Sequence, residues 1–322
     1  MGGMSWVVGG GGLLGSGILR RLGATNETVF IGPRVRWGTS SAILDLRAGL
    51  SGFVSAAGGG QWQIYWCAGV GVTGSGQKSF LAEVTLFEEF IRSVRALTVD
   101  VLECGGLFVA SSAGGVYGGS WGAPFDESSP TVALGHYGAA KLEMERVAQD
   151  FARMTGVRTL VGRIANLYGP GQSVSKPQGL ISQLCRSSVR RMPLSVFVPL
   201  DTLRDYLFVD DGAAIIVDAA DYLRGGAEQG FHLKVIASGR SVSVGALISE
   251  FRQVVGRRPD IIMGSSSQSA LQSTDLRLRS RYWPLLDSRP TTNLADGIAR
   301  TLNDTRRSFM RASEPAVTSA MP

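Results

Sequence analysis

A chain of 322 residues with 44% apolar and 18% charged residues can bury a large core, as one large or two modest domains. Its net charge of +6 comes from arginines spread along the sequence without a basic stripe interleaved by aromatics, which favours anionic small ligands over nucleic acid. Three distant cysteines and two histidines exclude a disulfide framework and a histidine-rich metal site; no metal, no membrane span, no leader and a cytoplasmic location are expected.

Ser5 to Val8 reads as a short buried strand, followed by a glycine loop and an apolar-periodic helix through Ile18, Leu19 and Leu22. The loop satisfies Gly9-x-x-Gly12-x-x-Gly15 and Gly10-x-Gly12-x-x-Gly15 at once. Strand, glycine turn and helix form the context of a dinucleotide fingerprint, with a pyrophosphate on the positive helix end. Gly9, Gly12, Leu13, Leu14 and Gly15 are therefore cofactor candidates. A second strand, Thr28 to Ile31, ends in Gly32-Pro33-Arg34-Val35-Arg36 instead of an acid. Arg34 or Arg36 could pair with a 2′-phosphate, which tilts the cofactor from NAD toward NADP; the alternative is two solvated loop charges. Asp45 and Leu46 stand where a third strand would deliver an acid to the adenine. Gln61 to Cys67 is a further strand, and Ala68-Gly69 at its end is small enough for a cofactor to lie against. The helix from about Phe80 to Leu97 has an apolar stripe, part core and part dimer face.

Leu107 to Ala110 is the next strand. It runs into Ser111 and Ser112, hydroxyls at the carboxyl end of a parallel strand, where open α/β sheets bind ligands. Tyr137 and Lys141 then lie four apart at the start of a helix, on one face. A free phenol has a pKa of about 10, and a neighbouring ammonium with an oxidised nicotinamide favours phenolate and brings it into range as a base. Alone, such a pair also occurs by chance on amphipathic helices. Past Gly171, helices near 180–191, 211–223 and 244–255 alternate with strands near 195–198, 231–236 and 260–262.

In order, the Gly9/Gly12/Gly15 loop, Ser111-Ser112 through Val116-Tyr117-Gly118, Tyr137-x-x-x-Lys141, Arg163 to Gly171 and Arg204 to Asp211 resemble the extended short-chain dehydrogenase/reductase family, in particular its nucleotide-sugar epimerases, dehydratases and 4-ketoreductases. The resemblance implies a doubly wound parallel sheet of Rossmann type over residues 1–165. A smaller substrate lobe would span 166–307, with segments returning to the sheet, before a disordered tail at 308–322. It implies Tyr137 as acid/base, Lys141 on the nicotinamide ribose, Ser111 beside the cofactor, and Ser112, Tyr117, Asn166 and Arg204 toward the substrate. Arg204 would meet the diphosphate, with a salt bridge to Asp205 or Asp210 as the alternative.

Three departures stand out. The family's catalytic hydroxyl position is Ala113, so Ser112 must take the role. Gly114 and Gly115 replace the dehydratases' Asp-Glu pair, which argues against dehydration. Gly264 to Ser269 replaces the C-terminal substrate motif. The function implied is an NAD(P)-dependent nucleotide-sugar epimerase, with an NADPH-dependent reductase of a keto sugar or other carbonyl as the alternative and a non-catalytic cofactor binder as the third reading. A homodimer is expected through the helices at 80–97 and 137–151.

Overall fold

The computed structural model describes residues 3–69, 76–172, 179–226, 228–264 and 273–313. In chain order the elements are β1 (Met4–Val8), α1 (Leu13–Leu22), β2 (Thr28–Val29), α2 (Ala42–Ala57), β3 (Trp62–Trp66), α3 (Gln77–Arg95), α4 (Val99–Glu103), β4 (Gly105–Ser112), α5 (Ala113–Val116), α6 (His136–Thr155) and β5 (Arg158–Ile164). The second half continues with β6 (Asn166–Tyr168), α7 (Leu180–Arg190), β7 (Leu194–Val196), β8 (Leu203–Phe208), α8 (Val209–Gly225), β9 (Phe231–Ile236) and β10 (Ser241–Ser243). It closes with α9 (Val244–Val255), β11 (Ile261–Met263), β12 (Asp275–Leu276), α10 (Pro284–Asp287) and α11 (Leu294–Ser313).

Six strands pair in the order β2-β1-β3-β4-β5-β9, all parallel. A parallel sheet needs a crossover between neighbours and cover on both faces, so its strands read as continuous apolar runs. Trp62–Trp66 is buried at every position. Alternation then deals the side chains to two cores. Val7, Tyr65, Phe108 and Leu160 pack with α1 and α8, while Trp6, Val8, Trp66, Leu107 and Val109 pack with α2, α3 and α6. The sheet is doubly wound, as expected.

One element differs. No third strand forms at 44–47: Ala42, Leu46, Leu50 and Phe53 recur at helical spacing and are buried together on one face of α2. The strand order therefore turns back after β2, and Asp45 lies in the first turn of a helix.

The segments beyond β5 divide between the two layers. β9 joins the main sheet, and β10, β8, β12 and β6 form a smaller sheet beside the pair β11-β7. A third core gathers Tyr168 and Phe208 from β6 and β8 with Leu184, Leu247, Phe251, Ile298 and Leu302 from α7, α9 and α11. β9 is an edge strand, and its exposed side is closed by Glu127, which accepts from Val235 N at 2.8 Å and from Ser280 Oγ at 2.8 Å. Lys234, fully buried on the same strand, donates to Ser280 Oγ, the Tyr282 carbonyl and Asp287 Oδ2 at 2.6–2.7 Å. The first residues of the expected disordered tail are helical. Residues 308–313 complete α11, whose inward face is Ile298, Thr301, Leu302 and Thr305, and residues 314–322 lie outside the described residues.

Candidate active site at the carboxyl ends of the strands

The glycine loop is built by close backbone approach. Gly9 has φ +89°, and a Cβ there would stand 2.6 Å from Ala68 N. A Cβ on Gly15 would collide with the Gly9 carbonyl, whereas at Gly11 it would meet nothing within 4 Å. Two glycines thus lock the loop onto β3 and α1, and the rim between them presents bare backbone to open space. At that rim, α1 begins with Leu13 and Leu14, with no side-chain cap and no acid in the first turn. Orphan amides and an uncompensated positive helix end suit a pyrophosphate.

Arg36 does not face outward as an open cation. Its Nε and Nη2 grip Asp45 at 2.9 Å and 2.6 Å, and its backbone N–H adds a bond of 3.0 Å to the same carboxylate. These bonds pull the Asp45 carboxyl down to about 2. The pair carries no net charge for a 2′-phosphate. Arg34 is exposed and has no hydrogen-bond or ion-pair partner among the described residues. Asp45 and Leu46 do not reach the adenine from a strand; Leu46 is fully buried in the core under α2.

Tyr137 and Lys141 stand on the first two turns of α6 as the spacing required. The helix start is pressed onto the loop after β4. A Cβ on Gly138 would collide with the Gly115 carbonyl, and one on Gly115 would lie 3.1 Å from the Tyr137 ring. Tyr137 is half-buried and packs on Phe80, ring centroids 5.8 Å apart. Lys141 is buried, its Nζ 5.8 Å from the Tyr137 ring centroid and 2.8 Å from Glu83 Oε1. Burial alone would pull the Lys141 ammonium down; the negative charges of a Tyr137 phenolate and of Glu83 outweigh it and hold the ammonium above the ordinary lysine range.

The serines go elsewhere. Ser111 is buried and donates to Glu145 Oε1 at 2.5 Å; Glu145 pairs with Arg163 at 2.7 Å, and Arg163 Nη1 donates to the Tyr117 hydroxyl at 2.7 Å. That chain of bonds ties α6 to β4 and β5. Ser111 is engaged as a brace rather than as a free cofactor contact. Tyr117 has no exposed surface, stacks on Phe125 and donates to the Asp126 carbonyl at 2.6 Å. It cannot touch a substrate from there. Ser112 serves as a cap. Leu107, Val109 and Ser111 face the α6 side, and alternation gives Ser112 the opposite direction. Its Oγ accepts from Gly115 N at 3.2 Å as the cap of α5. Ala113 is fully buried and brings no hydroxyl to the site.

Asn166 is exposed at the end of the main sheet, its Nδ2 donating to the Asp205 carbonyl at 3.2 Å. Arg204, on β8, is 8% exposed and makes one side-chain hydrogen bond, to its own Leu203 carbonyl. It has no salt bridge among the described residues, to Asp205 or Asp210 included; Asp210 is taken by Arg20 and Arg300. Burial pulls the guanidinium down, and the nearby Tyr206 and Asp275 offset this in part. A desolvated cation with no carboxylate in direct contact is a natural anion site. The serine run 265–269 lies outside the described residues. No group of three or more His, Cys, Asp or Glu positioned for a metal and no helix long and apolar enough to cross a membrane occur among the described residues.

Sequence reasoning missed Glu83. The signal was there: a carboxylate on the buried stripe of Phe80, Val84, Phe87 and Ile91, one turn from Phe80.

Among curated relatives, the UDP-glucose 4-epimerase of Azospirillum brasilense is 33% identical over 163 residues, 47% of this chain and 46% of that protein. The dTDP-4-dehydro-6-deoxyglucose reductase of Escherichia coli is 27% identical over 203 residues, 63% of this chain and 62% of that protein. The chain thus spans about half to three-fifths of the length of these relatives. Among solved structures, the UDP-glucose 4-epimerase of Thermotoga maritima with UDP-glucose superposes with a TM-score of 0.77 at 19% identity, covering 95% of this chain and 99% of the other. The UDP-glucuronic acid 4-epimerase of Bacillus cereus, in complex with UDP-glucuronic acid and NAD, gives 0.74 at 17% identity, covering 95% and 99%. At those identities the structural likeness speaks for the fold. The model of the NAD dependent epimerase/dehydratase family matches residues 6–231, and with that loop, that sheet and that helix start in place, the chain belongs to this family.

Proposed function

We propose that the chain is an NAD-dependent nucleotide-sugar 4-epimerase in which Tyr137 moves the proton of the reacting hydroxyl. The observation that supports this is the Tyr137/Lys141 pair pressed by Gly138 onto the loop at the end of β4, with Ala68 close against Gly9 on one side and a Cβ on Gly69 standing 3.5 Å from Lys141 Nζ on the other. Gly9, Gly12, Gly15 and the amides of Leu13 and Leu14 would hold the pyrophosphate, and Ala68-Gly69 would lie beneath the ribose. Bound there, the cofactor supplies reversible hydride transfer. Tyr137 then takes the sugar hydroxyl proton and returns it, Lys141 orients the ribose, Asn166 approaches the sugar and Arg204 neutralises the diphosphate. With Ala113 in place of a hydroxyl, Tyr137 alone holds the reacting oxygen.

NAD is favoured over NADP because Asp45 neutralises Arg36, leaving Arg34 as the sole candidate for a 2′-phosphate. The second reading is an NADPH-dependent keto-sugar reductase, supported by the likeness to a reductase and by the unpartnered Arg34. A homodimer would form across α3 and α6, whose outward faces carry Glu88, Arg92, Arg95, Arg146 and Asp150. A groove of about 200 Å³ lies between them.

Denaturing the purified protein and identifying the released nucleotide separates the readings. The epimerase retains NAD and interconverts a nucleotide-sugar with no net redox change. An empty protein that binds NADPH in strong preference to NADH and consumes it against a keto sugar would replace the epimerase by the reductase.

A further inference from the structure

We propose that Glu83 is a positioning residue that keeps the proton on Tyr137 until a positively charged, oxidised nicotinamide arrives. The inference rests on the Tyr137/Lys141 reading above. Glu83 Oε1 is 2.8 Å from Lys141 Nζ, and the two side chains are 6% and 7% exposed. Both lie at the carboxyl end of β3: a Cβ on Gly69 would stand 3.0 Å from Glu83 Oε1 and 3.5 Å from Lys141 Nζ.

A carboxylate on an otherwise apolar helical stripe is costly to bury, and packing alone would be served as well by a neutral side chain. Its charge, however, changes what Lys141 can do. A lone ammonium beside a phenol favours phenolate; an ammonium already balanced by a carboxylate offers the phenol a dipole in place of a net charge. Among the described residues, the other titratable groups near the pair leave that balance standing. From the segment after β3, the Cys67 thiol is pushed up by burial and stays neutral. From α6 itself, Glu145 is engaged by Arg163 and Ser111. From α3, Phe80 covers the Tyr137 ring.

With the lysine balanced, forming phenolate adds an uncompensated negative charge to a buried cluster. Oxidised nicotinamide carries the positive charge that compensates it, and reduced nicotinamide does not. Glu83 thereby makes the base available in the half of the cycle that needs it, when a hydroxyl is to lose its proton.

The test is the phenolate absorbance of Tyr137 as a function of pH, obtained by subtracting Y137F. Glu83→Gln keeps the shape and the acceptor and deletes the charge, so the midpoint of the Tyr137 transition, without cofactor, should fall by about one pH unit or more relative to wild type. Glu83→Asp, which keeps the charge, should return the midpoint to the wild-type side. NAD+ should lower the wild-type midpoint, and NADH should not. Equal midpoints for wild type and a folded E83Q overturn the inference. Where E83Q does not fold, equal wild-type midpoints with NAD+ and NADH overturn it instead. Turnover lost in Y137F with the E83Q midpoint unmoved would sink Glu83 alone. A Tyr137 signal untouched by cofactor and by E83Q, with Y137F still active, would sink the reading of the pair as well.

Discussion

Asp205 is fully buried on β8, with Oδ1 accepting from Ser238 N at 2.9 Å and Oδ2 without a partner among the described residues. Burial raises its carboxyl to about 6, against the backbone bonds from Ser238, Gly239 and Arg240 that lower it. The sign follows from linkage. The folded state holds this proton more tightly than the unfolded chain, so stability is fully present below about pH 4 and is lost as pH rises through 6. Two pH units correspond to about 3 kcal/mol. Asp205→Asn should therefore unfold with a stability that gains on wild type by about 2–3 kcal/mol between pH 4 and 7.5. Denaturant titrations at a series of pH values measure it; parallel pH profiles for the two proteins would refute the assignment. Arg204, one residue earlier, poses the complementary case of a buried cation, and its unpaired state is what makes a diphosphate role physically reasonable.

The helix α6 carries Tyr137 and Lys141, and its start is held against the β4 loop by close backbone contact. Gly138→Ala would drive a methyl into the Gly115 carbonyl and push the first turn away from the loop. We expect a cost of about 1–3 kcal/mol from overpacking, with turnover falling about a hundredfold because Tyr137 shifts. Thermal unfolding and steady-state rates measure the two effects separately; wild-type turnover in a folded Gly138→Ala protein would show that the contact does not position the tyrosine. The placement of α6 and of the glycine loop was legible in the sequence, since each depends on spacing within a few residues. What spacing could not supply was the direction of single side chains at strand ends. Ser111, Ser112 and Tyr117 all read as crevice residues, yet strand alternation and the ion pair of Glu145 with Arg163 turn them into braces and a cap. Likewise Asp45 read as a strand residue because the expected fold has a strand there, while the i, i+4 burial of Ala42, Leu46 and Leu50 makes it a helix. For Glu83 the local stripe marks a buried carboxylate, but its partner Lys141 lies 58 residues away, where spacing cannot point.

At the scale of the whole molecule, a six-stranded parallel sheet holds the glycine rim, the β4 loop and α6 at one end, and the later segments add Asn166 and Arg204 from the side. The third core under α7, α9 and α11 makes the part of the chain beyond β5 a packed body of its own. Such an arrangement suits a dinucleotide at the glycine rim and a second diphosphate beside Arg204. The proposed role of Tyr137 in the proton transfer of a C4 epimerisation is open to a direct assay: the NAD+-saturated chain is supplied with UDP-glucose and other nucleotide-sugars and the sugar followed by NMR, alongside Tyr137→Phe. Wild type should form the C4 epimer, and Tyr137→Phe should lose about a hundredfold to ten-thousandfold in rate with NAD+ binding retained. Equal rates in the two proteins, or no epimer from any nucleotide-sugar with cofactor bound, would contradict it.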